Sequence, residues 1–405
     1  MHECLTKLRS VGGQLLVAGS PLDEVLSRVG STPAYLYDRH LVAQRVDVLR
    51  RCLPDQIKLH YAIKANPHKE LVAWISSQVD GFDVASQGEL DLALYSDVSP
   101  ASVSFAGPGK SLTELQSAVD AGIIVSVESA TELARLQSLA SASARPVQAL
   151  LRLNPDFQLR RSGMVMGGVA SAFGIDVELL PALESALKHD YVDVIGFHVY
   201  AGSQNLDATA LSEGHVQTLA LVERVRRFLP GGLRYLNLGG GFGIPYFAGD
   251  LSCDVETIGY RLRKLLDESA SMLESCEVVL ELGRYLVGEA GYYVMTVADV
   301  KESRGKRIAI VDGGLHHHLA NSGNLGQAIR RNYPVVVGNK MDVVQRETIS
   351  ISGPLCTPLD IVGSDLELPP IEIGDQIVVL QSGAYGLSAS PLGFLSREAP
   401  AEILL

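Results

Sequence analysis

Eight short apolar segments alternate with longer segments of helical periodicity between residues 36 and 285, and this alternation constrains the fold more than any other feature. Near-continuous apolar strands that alternate with helices are typical of a parallel sheet covered on both faces. Eight such units predict an α/β protein with a closed (β/α)8 TIM barrel, and a doubly wound open sheet is the alternative. The apolar segments are LHYAIKA (59–65), FDVAS (82–86), VSFAG (103–107), IVSVES (124–129), LLRLNP (150–155), VIGFHVY (194–200), LRYLNLG (233–239) and VVLELGR (278–284).

The pattern changes near residue 286. Strand-like segments separated by turns follow, which predicts a mainly antiparallel C-terminal β domain over residues 286–405. The barrel is therefore expected over residues 36–285, and we expect residues 1–35 to pack with the β domain. The strand-like segments read YYVMTVADVKES, RIAIVDGG, TISISGPL and DQIVVLQSG.

Composition narrows the possible functions. The net charge of −12 disfavours a nucleic-acid partner, which requires a basic surface. No apolar run approaches the roughly 20 residues that span a bilayer, and the N-terminus lacks a signal-peptide pattern. We therefore expect a cytoplasmic protein with no membrane partner. The five scattered cysteines indicate neither a disulfide framework nor a zinc site.

Several reactive side chains stand at the carboxyl ends of the predicted strands. In a barrel these ends form one rim, where active sites of this architecture lie. Residues more than 200 positions apart in the chain are therefore expected to converge. The residues concerned are Lys64, Asp83, Tyr200, the Gly239–Gly243 run and Glu281.

Lys64 lies in the motif HYAIKAN and is flanked by Ala62, Ile63 and Ala65. An apolar setting disfavours the ammonium form and lowers a lysine pKa. A neutral amine is what imine formation with a carbonyl requires. The alternative is a lysine at a strand end that reaches solvent.

Two further motifs suit a phosphorylated pyridine cofactor. The run Gly239–Gly243 (GGGFG) allows the backbone to approach and surround a phosphate, although a plain glycine turn has the same sequence. Glu281, Gly283 and Arg284 close the last strand. A carboxylate beside a pyridine nitrogen favours the protonated ring, and an arginine suits a phosphate dianion. A structural Glu–Arg ion pair is the alternative.

The second domain contributes fewer signals. Cys356 lies in GPLCTPLD and Tyr385 in SGAYG, and either residue alone is more often a packing residue than a catalyst. The run His316-His317-His318 could suggest a metal. Neighbouring residues in a regular strand point to opposite faces, so three in a row cannot all coordinate one ion, and we expect no metal site.

Together these motifs resemble the fold-type III pyridoxal-phosphate (PLP) decarboxylases, which include the diaminopimelate and ornithine decarboxylases, with alanine racemase as a distant relative. The resemblance extends from TPAYLYD (32–38) nearly to the C-terminus, and every motif stands in family order. It implies an alanine-racemase-like barrel, PLP as the cofactor and decarboxylation of an amino acid as the activity.

The resemblance also implies residue roles. Lys64 would carry PLP as a Schiff base, and Glu281 would pair with the pyridine nitrogen. Cys356 and Asp360 match a motif that, in the family, crosses a head-to-tail homodimer interface into the neighbour's active site, where Cys356 would protonate Cα. Near the phosphate the family pattern places Ser203, Gly240, Gly241, Arg284 and Tyr385, and it places Asp83 beside the cofactor.

Two departures from the family bear on the substrate. Tyr200 stands where the family has a histidine that stacks on the PLP ring, and an aromatic ring can still stack there. Thr357 replaces the Glu that follows the cysteine in diaminopimelate decarboxylases, and GGLHHHLAN lacks their Arg-Pro element. A pocket that has lost both a carboxylate and an arginine is not expected to hold free diaminopimelate.

The strings SGMVMGG, HVYAGSQNLD, GPLCTPLD and SASPLGFLS resemble a biosynthetic subgroup instead. It contains the butirosin-pathway enzyme that acts on glutamyl groups of an acyl carrier protein, exosortase-associated decarboxylases and siderophore decarboxylases. We therefore expect an amino acid whose side chain is acylated or tethered to an acyl carrier protein, bound near Cys356, Thr357, Asp360 and Tyr385. The alternatives are a decarboxylase of a free amino acid, an amino-acid racemase and a non-catalytic PLP-binding protein.

Overall fold

The computed structural model describes residues 2–161, 163–325, 327 and 330–405. The chain divides into two compact units. The β unit combines residues 1–44, 245–251 and 286–405, and the barrel unit comprises residues 45–244 and 252–285. In this division residues 36–44 group with the β unit, whereas the sequence boundary assigned them to the barrel. Ser162, the first residue of SGMVMGG, lies outside the described residues.

The barrel unit contains eight parallel strands that close into a barrel. Each strand pairs in parallel with the next along the chain, and the eighth pairs with the first. The predicted (β/α)8 barrel is therefore confirmed, and the open sheet is excluded. The strands are Ile57–Ala62, Gly81–Val84, Val103–Phe105, Ile124–Val127, Val147–Asn154, Val192–Val199, Tyr235–Gly240 and Glu277–Leu282.

The connecting helices begin and end at signals in the sequence. The helix Leu112–Ala121 starts with a capping box in which Ser111 and Glu114 each accept a hydrogen bond from the other's backbone N–H. It ends at Gly122, whose φ of 68° is left-handed. None of the helices in the described part of the chain combines the length and apolar composition needed to cross a membrane. The α-helices are Glu3–Thr6, Leu22–Val29, Arg39–Cys52, Lys69–Ile75, Gln87–Tyr95, Leu112–Ala121, Ala130–Ser143, Leu180–Leu183, Ala208–Val225, Val255–Glu268, Ala270–Leu273 and Arg284–Val287.

The β unit is built on a mainly antiparallel sheet, as the sequence predicts. The strand Ala34–Tyr37 pairs with both the long strand Gly291–Ser303 and the strand Ala401–Leu404. Residues near both chain ends therefore enter this sheet. The other strands of the sheet are Lys306–Val311, Val335–Val337, Glu347–Ser352, Ile361–Leu368 and Gln376–Val379. Short strands outside these two sheets are Ser10–Val11, Gln14–Val17, Ser20–Pro21, Met164–Val165 and Gly202–Ser203. The short strand Ile175–Asp176 pairs in parallel with the fifth barrel strand.

Gly196 allows the sixth and seventh barrel strands to approach closely. A Cβ atom at this position would lie only 1.7 Å from the carbonyl oxygen of Tyr235. The register between the fifth and sixth strands also shifts between Val194 and Gly196. Since the obstructing atom belongs to the backbone, a side chain here would force the strands apart.

We expect Gly196→Ala to lower the free energy of unfolding by about 3 kcal/mol, the upper range for overpacking a core. Gly88→Ala is the matched control, because Gly88 lies in a helix with no atom within 4 Å of an added Cβ. The control should gain about 0.5 kcal/mol. Urea unfolding of both variants measures the difference. Equal stability of the two would contradict the steric explanation.

Candidate active site

The barrel fold brings the predicted site residues of the barrel unit to one rim. Lys64 lies in the turn Ile63–Ala65, immediately after the first strand. Tyr200 follows the sixth strand directly, and Gly240 and Glu281 lie at the ends of the seventh and eighth strands. All four positions are at carboxyl ends of barrel strands, where barrel enzymes carry their active sites.

Lys64 and Glu281 form the centre of this rim. The Nζ atom of Lys64 lies 3.7 Å from Oε1 of Glu281. The Lys64 side chain is 41% exposed, whereas the Glu281 side chain is 2% exposed. Nζ also lies 5.6 Å from the centroid of the Tyr200 ring. The amine is thus open to an incoming molecule while the carboxylate beneath it is closed to water.

The second oxygen of Glu281 is held from the barrel interior. Nδ2 of Asn237 donates to Oε2 over 3.1 Å, and Nε2 of His198 lies 3.2 Å from the same oxygen. The His198 contact falls outside hydrogen-bond geometry. The side-chain oxygen of Asn237 accepts a hydrogen bond from the backbone N–H of Gly239. The ring Nδ1 of His198 lies 2.9 Å from the Ser126 hydroxyl. These contacts leave Oε1 facing Lys64.

The surroundings of Glu281 favour its ionised form. Complete burial by itself raises the pKa of a carboxyl group, but Lys64 and His198 oppose it. Their attraction outweighs the loss of hydration, so the pKa of Glu281 lies well below its usual range. An ionised carboxylate is the group that keeps a facing pyridine nitrogen protonated.

The glycines of the Gly239–Gly243 run have little room for a side chain. Gly239 and Gly241 have φ values of 68° and 83°, in the left-handed region that favours glycine. A Cβ at Gly240 would lie 2.0 Å from the carbonyl oxygen of Glu281, and one at Gly241 would lie 2.3 Å from that of Gly202. Ser203 follows Gly202 in the chain. This bare backbone beside a hydroxyl group fits a phosphate.

The end of the eighth strand also depends on a glycine. A Cβ at Gly283 would lie 2.8 Å from the Cβ of Ala65, so a larger residue would push away the turn that carries Lys64. Arg284 follows at once and begins a short helix. Its position next to Gly283 suits the predicted role of Arg284 near a phosphate.

Asp83 has a different environment from the other predicted residues. Its carboxylate accepts a hydrogen bond from the Ser104 hydroxyl, and its second oxygen lies 3.5 Å from Nδ1 of His60. All three side chains are buried in neighbouring barrel strands. These contacts tie Asp83 to the barrel wall.

Sequence reasoning assigned no role to the residues that hold Glu281. Ser126, His198 and Asn237 are buried polar residues inside apolar strands. The same signal marks Arg152, whose Nη1 lies 2.7 Å from Oε1 of the buried Glu128. A polar residue within an otherwise apolar strand requires a buried partner, and this signal could have found all four.

In the β unit, Asp360 organises the turn that contains Cys356. The buried carboxylate of Asp360 accepts the backbone N–H groups of Leu315 and Leu355 at 2.7 and 2.8 Å. The turn exposes Cys356 and leaves Thr357 partly buried. Tyr385 lies elsewhere in the same unit with a left-handed φ of 53°.

The three consecutive histidines are packing residues. All are buried, and burial lowers the pKa of His316 to about 4 and that of His318 to about 3. Nε2 of His317 lies 2.9 Å from the carbonyl oxygen of Glu398, and Nε2 of His318 lies 3.0 Å from the Ser382 hydroxyl. Within the described residues, no cluster of three or more His, Cys, Asp or Glu could hold a metal ion.

The sequence matches the family described as "Pyridoxal-dependent decarboxylase, pyridoxal binding domain" over residues 39–288. The chain belongs to this family. It is 36% identical over 385 residues to the L-glutamyl-[BtrI acyl-carrier protein] decarboxylase of Niallia circulans. The matched region covers 94% of this chain and 90% of the relative. The resemblance to fold-type III PLP decarboxylases is therefore confirmed, as is the subgroup.

Two further decarboxylases are similar over nearly the whole chain. The 2-[(L-alanin-3-ylcarbamoyl)methyl]-2-hydroxybutanedioate decarboxylase of Staphylococcus aureus is 32% identical over 391 residues, which is 92% of this chain and 93% of the relative. The crystal structure of diaminopimelate decarboxylase from M. jannaschii in complex with L-lysine has a TM-score of 0.89 at 25% identity and covers 98% of this chain and 92% of that one. The chain is thus a decarboxylase whose cofactor is PLP.

We expect His198→Leu to lower the free energy of unfolding by about 3 kcal/mol, because it leaves a buried carboxylate with one polar neighbour fewer. His189→Leu is the control. His189 is a partly exposed histidine far from Glu281 in the chain, and its loss should cost less than about 0.5 kcal/mol. Urea unfolding of the cofactor-free proteins provides the measurement. The contact with His198 has no stabilising role if the two variants unfold at the same urea concentration.

Proposed function

We propose that this enzyme removes the α-carboxyl group of an amino acid whose side chain is acylated or tethered to an acyl carrier protein, within a biosynthetic pathway. The observation that carries the proposal is the loss of charge at the distal end of the substrate pocket. Thr357 replaces the family's Glu, and GGLHHHLAN replaces its Arg-Pro element. A masked side chain has no distal zwitterion, so it does not need those charges.

The printed names of two relatives support the same substrate class. The Niallia circulans relative acts on a glutamyl group of an acyl carrier protein, and the Staphylococcus aureus relative acts on an alanyl group joined through a carbamoyl link. In both names the amino acid is extended by an acyl or amide connection. Since these relatives are 36% and 32% identical to this chain, a related substrate is the simplest expectation.

The barrel residues supply the cofactor half of the reaction. Lys64 would provide the amine that attaches the cofactor aldehyde, and the exposure of its side chain leaves room for a substrate amine to approach that attachment point. The chemistry that bound PLP contributes is an electron sink for the bond that breaks at Cα. Glu281, whose surroundings favour the ionised form, would favour a protonated pyridine nitrogen. The Tyr200 ring, 5.6 Å from Nζ, would stack on the cofactor ring.

The phosphate half of the site rests on backbone and on fixed charge. Gly240 and Gly241, with the Ser203 hydroxyl, form the cradle, and Arg284 supplies positive charge. The barrel fixes the position of these groups relative to Lys64, so a phosphate held here would help to orient the cofactor toward the amine.

Protonation of Cα requires an acid near the cofactor. We assign this role to Cys356, which stands exposed on a turn fixed by Asp360. By the family pattern the cysteine acts in the active site of a second copy, so the working enzyme is a head-to-tail homodimer. Tyr385 and Thr357 complete the set that we assign to cofactor and substrate binding.

Lys64→Ala should abolish covalent attachment of PLP and reduce turnover by about 10³-fold or more, since no other residue provides the amine. Lys69→Ala removes a neighbouring exposed lysine that stacks on Tyr95, and it should behave as the native enzyme. Visible absorbance of the bound cofactor and the mass of the borohydride-reduced protein report attachment. Attachment at an undiminished level in Lys64→Ala would refute the assignment.

The substrate class is tested by a panel of free and carrier-loaded amino acids. Incubation with glutamyl-loaded BtrI acyl carrier protein of Niallia circulans should give a mass loss of about 44 Da, the mass of CO2. Free diaminopimelate, ornithine and glutamate should lose CO2 at least about 100-fold more slowly, because the pocket lacks groups for a charged distal end. Mass spectrometry follows all reactions. Faster decarboxylation of a free amino acid than of any acylated one would overturn the proposal.

A further inference from the structure

A groove on the outside of the barrel unit has no role in the chemistry described so far. It lies between the helices Ala208–Val225 and Val255–Glu268 and is also lined by residues 158–160. Its volume is about 680 Å³, which is large enough for an extended organic chain. All of its lining residues belong to the barrel unit.

The groove is locally basic in a chain of net charge −12. Arg160, Arg261 and Lys264 line it together with Glu213 and Glu268. Lys264 and Glu268 form an ion pair at 3.7 Å and offset each other. In the described part of the chain, neither Arg160 nor Arg261 has a carboxylate partner within ion-pair distance. Two exposed guanidinium groups therefore face a single unpaired carboxylate.

His215 provides a second, independent sign of a ligand. Its side chain lines the groove and is only 5% exposed, and burial lowers its pKa to about 4, so the ring is neutral at physiological pH. Nδ1 of His215 has no hydrogen-bond partner among the described residues. A buried polar atom without a partner is costly, and a polar ligand in the groove would relieve this cost.

Two apolar side chains complete the groove surface. Tyr260 is 73% exposed and Val216 is 52% exposed, both at the groove. An exposed aromatic ring beside unpaired arginines is the combination that interfaces favour over the rest of a protein surface. The groove thus offers cationic, polar and apolar contacts within one surface.

Hydrogen bonds connect residues 158–160 of the groove to the active-site rim. The carbonyl oxygen of Arg160 accepts a hydrogen bond of 2.8 Å from Nδ2 of Asn205. The backbone N–H of Asn205 donates to the carbonyl oxygen of Gly241, and that of Gly163 donates to Ser203, both over 2.9 Å. A ligand that occupies the groove therefore borders the segment that holds the proposed phosphate cradle.

We propose that this groove docks the acyl carrier protein that presents the tethered substrate. The prosthetic arm of a carrier is joined to its protein through a phosphodiester, an anion that Arg160 and Arg261 are suited to bind. The amide groups of the arm match His215, and its methylene and methyl groups match Tyr260 and Val216. An acidic carrier surface is attracted to the basic groove of an otherwise acidic enzyme.

This inference rests on the proposed function. The acyl carrier protein is chosen as the occupant because its acidic surface is complementary to the arginines of the groove. Arg261→Glu should raise the KM for glutamyl-loaded BtrI acyl carrier protein by about tenfold or more without lowering kcat. It should leave the KM for the same glutamyl thioester of pantetheine unchanged, since that compound lacks both the phosphodiester and the protein. Arg160→Glu should have the same two effects.

Arg263→Glu is the matched control. Arg263 lies on the same helix, is exposed, does not line the groove, and its substitution alters the net charge by the same amount. Its KM for the loaded carrier should change less than about twofold. Equal effects of Arg261→Glu and Arg263→Glu would overturn the docking site, as would a shift in KM for the pantetheine thioester.

Binding of the unloaded carrier, measured by calorimetry, separates this inference from the proposed function. Weaker binding to Arg261→Glu than to Arg263→Glu supports the groove, even if the glutamyl group is not decarboxylated. No binding of the carrier to the native enzyme overturns the inference. If Arg261→Glu changes the sedimentation coefficient, the groove is a contact between copies of this chain, and the inference is also overturned.

Discussion

A carboxylate buried at the carboxyl end of the eighth barrel strand is the interaction on which the site depends. Removing the Glu281 carboxylate from water costs several kcal/mol, and only nearby positive charge and hydrogen-bond donors offset that cost. His198 and Asn237 supply them from the sixth and seventh strands, and Lys64 supplies them from the turn after the first strand. The carboxylate therefore holds the first, sixth, seventh and eighth strands in a common arrangement, and the same arrangement presents Lys64.

The backbone contributes as much to the site as the side chains do. Gly240 and Gly283 permit approaches that any Cβ would block, one toward Glu281 and the other toward the turn that carries Lys64. The glycine run presents bare peptide groups where a phosphate fits, and the barrel fixes their distance from the amine. A side-chain cradle would have more rotational freedom and would hold the cofactor less firmly.

The barrel, the β sheet and the rim could be predicted because each follows from local patterns in the sequence. Eight apolar segments at regular intervals determine the closed sheet, and strand ends determine where Lys64 and Glu281 meet. The partners of Glu281 could not be predicted with the same rules, because Ser126, His198 and Asn237 each lie within an apolar strand that periodicity describes as core. Which buried polar residues contact one another depends on strand register and on the shift at Gly196, and neither is encoded in a local pattern.

The cofactor half and the substrate half of this enzyme differ in how they are built. Glu281, His198 and the glycine run are buried and interdependent, so a single substitution there disturbs several contacts at once. Cys356 and the groove arginines are exposed on a turn and on helix surfaces, where substitutions cost little stability. Such positions can change with the substrate while the cofactor site remains intact. If the proposed function holds, this difference lets a decarboxylase of this family pass from free amino acids to tethered ones, since recognition of a carrier then requires new surface charges and leaves the barrel core unchanged.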